Sequence, residues 1–152
     1  MICQIEIPHK PYSVNALYYR DGKRKKRETV EWEQSILEYL RDDNIQPELA
    51  KIRDNFDKFK HSIYIDIEYI FPHSILYTQK GCLSSKAFDI SNMEKPLIDV
   101  IFLPKFSSES CKNLEIDDRY ISKMSSSKSS GSQHSIRLRI ELLPLSIPQT
   151  DT

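Results

Sequence analysis

Between Ser62 and Phe71 an apolar side chain falls on every second residue: Ile63, Ile65, Ile67, Tyr69 and Phe71 share one face, while Tyr64, Asp66, Glu68 and Ile70 share the other. This period-2 alternation is the pattern of a β-strand buried on one side, and it commits the chain to a sheet with a covered apolar face. Cys3 to Pro8 shows a shorter version, with Ile5 and Ile7 set against Gln4 and Glu6 and Pro8 ending the run. Arg119 to Met124 and His134 to Leu142 alternate again. The Ser125 to Gln133 run between them is small and polar, so the expectation is a mobile hairpin loop joining two antiparallel neighbours.

Helical spacing appears elsewhere. Thr29 is suited to cap a helix running to about Asp43, in which Trp32, Ile36, Tyr39 and Leu40 recur at helical intervals, and Pro47 precedes a second, polar helical stretch to about Phe59. After a loop from Thr78 to Lys86, Ser91-Asn-Met-Glu94 has the form of a capping box, with Met93, Leu97, Val100 and Ile101 as the buried stripe of the helix that follows. Pro96 lacks a backbone donor and is expected to leave that helix short or slightly distorted. Pro144 to Thr152 reads as a frayed tail, so residues 1–145 are expected to form one domain and 146–152 a flexible C-terminal tail.

Composition narrows the function classes. A chain of 152 residues has room for one hydrophobic core and is short for two. Lys plus Arg and Asp plus Glu both total 22, so no global positive charge announces a nucleic-acid partner, and any such signal must be local. The local signal is Lys23-Arg24-Lys25-Lys26-Arg27, preceded by Tyr18 and Tyr19. Such a run is either a solvated loop or a contact for phosphates. No apolar run approaches the ~20 residues of a membrane helix. The amino terminus alternates and lacks the charged-then-apolar form of a signal peptide, so the expectation is a cytoplasmic protein without membrane partners. Cys3, Cys82 and Cys111 are far apart and form no CxxC pair, which argues for reduced packing residues. His9, His61, His73 and His134 form no ligand motif.

Chemistry-bearing residues stand at the ends of elements: Asp89 just before a helix, Lys95 one turn into it, and the pair Asp117-Asp118 just before a strand. Carboxylates converging from two such ends can hold Mg²⁺ or Mn²⁺ through hard oxygen ligands, and a lysine nearby can balance charge developing on a phosphodiester. Each also has a plain structural reading. An Asp before a helix is commonly a cap, and an Asp-Asp pair commonly a turn.

Three segments, in this order, resemble the RusA-like family of Holliday-junction endonucleases. Pro11-Tyr-Ser13-Val-Asn15-Ala-Leu-Tyr18 is similar to the family's first loop, Asp89-Ile-Ser91-Asn92-Met-Glu-Lys95-Pro-Leu-Ile-Asp99 to its D-x-D-N-x-x-K-x-x-x-D helix entry, and Asp117-Asp118-Arg-Tyr-Ile to the D-D before its next strand. The match departs at Ser91, which stands where the family pattern has its second aspartate.

The resemblance implies a single α+β domain with a mixed β-sheet flanked by helices. It further implies a homodimer that cuts branched DNA, such as a four-way junction, with Mg²⁺ or Mn²⁺. Asp89, Lys95 and Asp118 would carry catalysis; Asp89 and Asp118 would hold the metal, with Asp117 and Ser91 as further candidates, and Glu68 and Asp66 in reserve. Asn15, Tyr18, Lys23, Arg24, Lys25, Lys26, Arg27, Lys86 and Asn92 would contact DNA. Asp99, four residues after Lys95, is either a supporting residue or its surface ion-pair partner. Ser91 is either a helix cap or a water-mediated ligand. Two other functions stay open: a relative that binds branched or duplex DNA without cutting, and a small protein-interaction domain without a nucleic-acid role.

Overall fold

The computed structural model describes residues 1–16 and 25–146. Four strands, β1 (Ile2–Ile7), β2 (His61–Pro72), β3 (Ile121–Gly131) and β4 (Ser135–Pro144), form one mixed sheet in the order β1-β4-β2-β3. β4 runs antiparallel to both its neighbours, and β2 and β3 are parallel. The helices are α1 (Arg27–Leu40), α2 (Gln46–Arg53), the single turn α3 (His73–Leu76) and α4 (Ile90–Phe102). The chain is thus an α+β domain with a four-stranded mixed sheet flanked by helices.

The alternation from Ser62 to Phe71 is the axis of this arrangement. Ile63, Ile65, Ile67 and Tyr69 are fully buried, and across the ladder Ile65 faces Ile140, Ile67 faces Leu138 and Tyr69 faces Ile136. Cys3, Ile5 and Ile7 of β1 extend the same face. Trp32, Ile36 and Leu40 from α1, Leu49 and Ile52 from α2, and Met93, Leu97, Val100 and Ile101 from α4 complete the core cluster. Each fully buried Leu or Ile contributes about 1.5–3 kcal/mol of transfer free energy, so this layer is the main source of stability. The opposite sheet face is polar. There Gln4, Glu6, Asp66, Glu68, Arg137 and Arg139 line an open groove.

Several local expectations are corrected by tertiary partners. The run Ser125 to Gln133 is not a mobile hairpin loop: as far as Gly131 it is strand, and β2 lies between β3 and β4. Its hydroxyls find acceptors on other elements, Ser125 donating to Asp66 and Ser129 to Glu68, both at 2.8 Å, and Ser126 to Glu94 at 2.7 Å. A polar segment that satisfies its hydroxyls this way loses the disadvantage of burial. At its end Gly131 is required by space, because a Cβ there would stand 2.6 Å from the Ile70 Cγ2 methyl.

Thr29 is not the cap of α1. The helix starts at Arg27 after Lys26, and Thr29 lies buried in its first turn with its hydroxyl donating to Tyr12 Oη at 3.2 Å. α2 ends at Arg53 rather than near Phe59, because Asp57 organises a tight turn, accepting from Phe59 N–H through its side chain and from Lys60 and His61 N–H through its carbonyl. The third alternating segment begins at Ile121, since Asp118–Tyr120 is a 3₁₀ turn. The Ser91/Glu94 capping box does not form: Asp89 occupies the N-cap position, and α4 runs its 13 residues through Pro96 without shortening. Cys3 and Cys111 are buried packing residues, whereas Cys82 is exposed, and all three are free thiols.

Two outcomes follow. Ile65→Ala, which empties part of the layer under the helices, is expected to lower the unfolding free energy by about 2–5 kcal/mol in urea denaturation, against no more than ~0.5 for Ser127→Ala on the exposed edge. Burial holds the Cys3 thiol at about 12 and also raises that of Cys111, so brief iodoacetamide treatment followed by peptide mass mapping is expected to label Cys82 alone.

Candidate functional site

α4 organises the site. Ser91, Lys95 and Asp99 follow at i, i+4 and i+8 and therefore form one row along a helix face. Together with Glu94 and Ile98 from the same helix, Asp118 from the turn before β3, and Ile121 and Met124 from β3, they line a cleft of about 380 Å³. Lys95 pairs with Asp99 at 3.3 Å; the lysine is 65% exposed and the aspartate 18%, so the pair contributes little stability but holds the ammonium over the cleft.

Asp118 reaches the cleft because the segment before it is laced to the end of α4. Leu114 N–H donates to Ile101 C=O and Ile116 N–H to Phe102 C=O. The side chain of Asn113, completely buried, donates to Val100 C=O and Leu103 C=O at 2.9 and 2.7 Å and accepts from Glu115 N–H, which satisfies helix-end carbonyls and accommodates the positive φ of Glu115. Asp117 then caps the turn, accepting from Arg119 N–H at 2.8 Å, and so takes the structural reading of the Asp-Asp pair. Sequence reasoning did not single out Asn113. Its signal was weak: a lone Asn in a loop, whose partners lie 10 and 13 residues away.

The structure brings together Ser91, Lys95, Asp99 and Asp118. Asp89 stands at the helix N-cap, two residues before Ser91, and is not among the residues that line the cleft. Asp66 and Glu68, the reserve ligands, lie on the other side of the sheet, engaged by Ser125, by Ser129 and by Arg137 at 3.3 Å. Among the described residues the side chains of Asp89 and Asp118 have no hydrogen bond or ion pair.

The three carboxylates of the cleft, Glu94, Asp99 and Asp118, are spread along it. Among the described residues no three His, Cys, Asp or Glu are grouped closely enough to hold a metal ion. The donor set therefore does not fit a closed protein cage. It fits Mg²⁺ or Mn²⁺ held partly through waters, since Mg²⁺ is commonly bound by one or two carboxylates with substrate phosphate oxygens completing the shell.

The expected DNA contacts divide. The 3₁₀ turn Val14–Ala16, which carries Asn15, packs against α4. The loop before it is pinned to α1 by Trp32 Nε1 donating to Lys10 C=O at 2.8 Å and by Tyr12 stacking on Trp32 at 5.5 Å. Asn92 lies in the first turn of α4. Lys25 is folded back onto Glu33 at 2.6 Å and over the ring of Phe106, so it is not a free phosphate contact. Arg27 is exposed and pairs with Glu31 at 3.0 Å, a surface contact that a phosphate can replace. Lys86 lies near His73 and Tyr77 on a separate depression. Tyr18, Lys23 and Arg24 lie outside the described residues.

No protein-family model matches the chain, and no curated protein matches it. Among the described residues no helix is long and apolar enough to cross a membrane.

Asn113→Ala is expected to cost about 1–3 kcal/mol in thermal or urea denaturation, because it strips the buried carbonyls of α4 of their donors.

Proposed function

We propose that the chain is a RusA-like, metal-dependent endonuclease that hydrolyses phosphodiester bonds of branched DNA, acting as a homodimer so that two clefts address opposite strands of a four-way junction. One observation carries this reading. The three segments that resemble the family, far apart in sequence, adjoin a single helix: the first loop packs on α4, the second segment is α4, and the third delivers Asp118 into the cleft beside it.

In this reading Asp118 binds the divalent cation, with Ser91 contributing through water and Asp89 standing at the helix entrance. The cation, when bound, supplies Lewis-acid polarisation of the phosphodiester and lowers the pKa of attacking water. Lys95 acts on the phosphate: released from Asp99, its ammonium moves to a non-bridging oxygen and balances the negative charge that grows there. Asp99 holds the lysine in place until substrate arrives. Asn15 and Asn92 donate to the DNA backbone next to the cleft, and Lys26 and Arg27 neutralise phosphates at a greater distance.

The test is incubation of the purified protein with a labelled synthetic four-way junction and Mg²⁺ or Mn²⁺. Paired nicks on opposite strands are expected. Lys95→Gln and Asp118→Asn are expected to reduce the cleavage rate by about 10²–10³ while leaving the thermal transition in place, since both residues are largely exposed. Absence of nicks at saturating metal defeats the nuclease assignment. If the junction is still retained, with an affinity that falls steeply with salt, the second reading gains: a relative that binds branched DNA without cutting it. That reading is favoured by Ser91, whose hydroxyl is a poor replacement for a carboxylate.

A further inference from the structure

Glu94 lies three residues beyond Ser91, hence on the same side of α4, and both line the cleft with Asp118. Unlike Asp99, it has no cation partner among the described residues, because Lys95 is paired elsewhere. Its Oε1 is instead fixed by the Ser126 hydroxyl of β3 at 2.7 Å, which orients the carboxylate without neutralising it. The cleft consequently sets three carboxylates against one ammonium. A second observation comes from the sheet beneath. The hydroxyl of Tyr69, in a side chain that is 0% exposed, has no hydrogen-bond partner, and its pKa is raised first by burial and then by the charge of Glu94. A buried donor without an acceptor costs about 1–3 kcal/mol. A water shared with the ligand shell of a cation beside Glu94 would give that donor an acceptor.

We infer that Glu94 supplies the carboxylate that Ser91 lacks: the acidic position has moved one turn along α4, and Glu94 and Asp118 hold one hydrated divalent cation between the helix and β3. This rests on the metal-dependent reading above. Ser126 is the positioning residue, holding one oxygen of Glu94 so that the other serves the cation. The side-chain length suits the shift, since a glutamate one turn further along reaches back toward the position an aspartate at 91 would occupy.

Binding of Mn²⁺ to the full chain, followed by loss of the free-ion electron paramagnetic resonance signal, tests this without reference to activity. One saturable Mn²⁺ per chain is expected. Glu94→Gln and Asp118→Asn are each expected to weaken it by about 10-fold or more. Glu68→Gln, on the far face of the sheet, is expected to leave it unchanged. Ser91→Asp in the Glu94→Gln background is expected to restore binding, a rescue that a merely structural role for Glu94 does not predict. If Glu94→Gln binds as tightly as the unaltered chain while Asp118→Asn does not, the role of Glu94 is refuted and the metal reading survives. If no saturable Mn²⁺ site exists in the unaltered chain, both fall. Should Glu94→Gln fail to fold, Glu94→Asp withdraws the carboxylate by one methylene, and undiminished affinity in that variant equally overturns the inference.

Discussion

Parallel pairing of β2 with β3 is the constraint from which the rest of the molecule follows. Parallel neighbours cannot be joined by a tight turn, so the chain must leave the end of β2, cross the sheet and return. Here the crossing contains α4, which buries Met93, Leu97, Val100 and Ile101 against the apolar face of β2 and turns Ser91, Glu94, Lys95 and Asp99 toward the groove beside β3. Packing and chemistry are therefore two faces of one helix. A substitution in the stripe displaces the polar row as well as the core.

Electrostatics separates the two sides of the sheet. On the open face Arg137 stands between Glu6 and Glu68 and Arg139 beside Glu141, while Asp66 accepts from the Ser125 hydroxyl. On the helix side the described lining of the cleft carries Glu94, Asp99 and Asp118, with Lys95 paired to Asp99. Exposed, matched pairs are close to neutral in energy, whereas Glu94 and Asp118 face the cleft without a cation partner among the described residues. Asp66 and Glu68, acidic and near the middle of the sheet, lie on the open face, away from the candidate site.

What was legible in the sequence is what local spacing encodes. Ile63 to Phe71 declared its strand because period 2 is independent of partners, and the α4 stripe declared its helix for the same reason. The Lys95–Asp99 pair was legible from its four-residue spacing. What was not legible depends on partners far along the chain. The serines of β3 resemble a loop until Asp66 and Glu68, some 60 residues away, are seen to accept their hydrogen bonds. Thr29 resembles a cap until Tyr12 is placed against it. Glu94 was absorbed into a capping box because its local role was plausible, whereas the place of Asp89 at the helix entry was legible from the helix that follows it.

The connection from β3 to β4 acts as a ruler. Three residues, 132 to 134, carry the chain from Gly131, beside Pro72, across the end of β2 to Ser135, opposite Ile70. Two strand spacings amount to roughly 10 Å, and four extended Cα steps to no more than about 14 Å. Little slack remains once the chain has also passed over the end of β2, where the His134 ring meets Phe71 edge-on at 5.6 Å. The span is thus gauged to a single intervening strand: lengthening it frees β4 to shift register, and shortening it pulls the two outer strands toward a gap that β2 already fills.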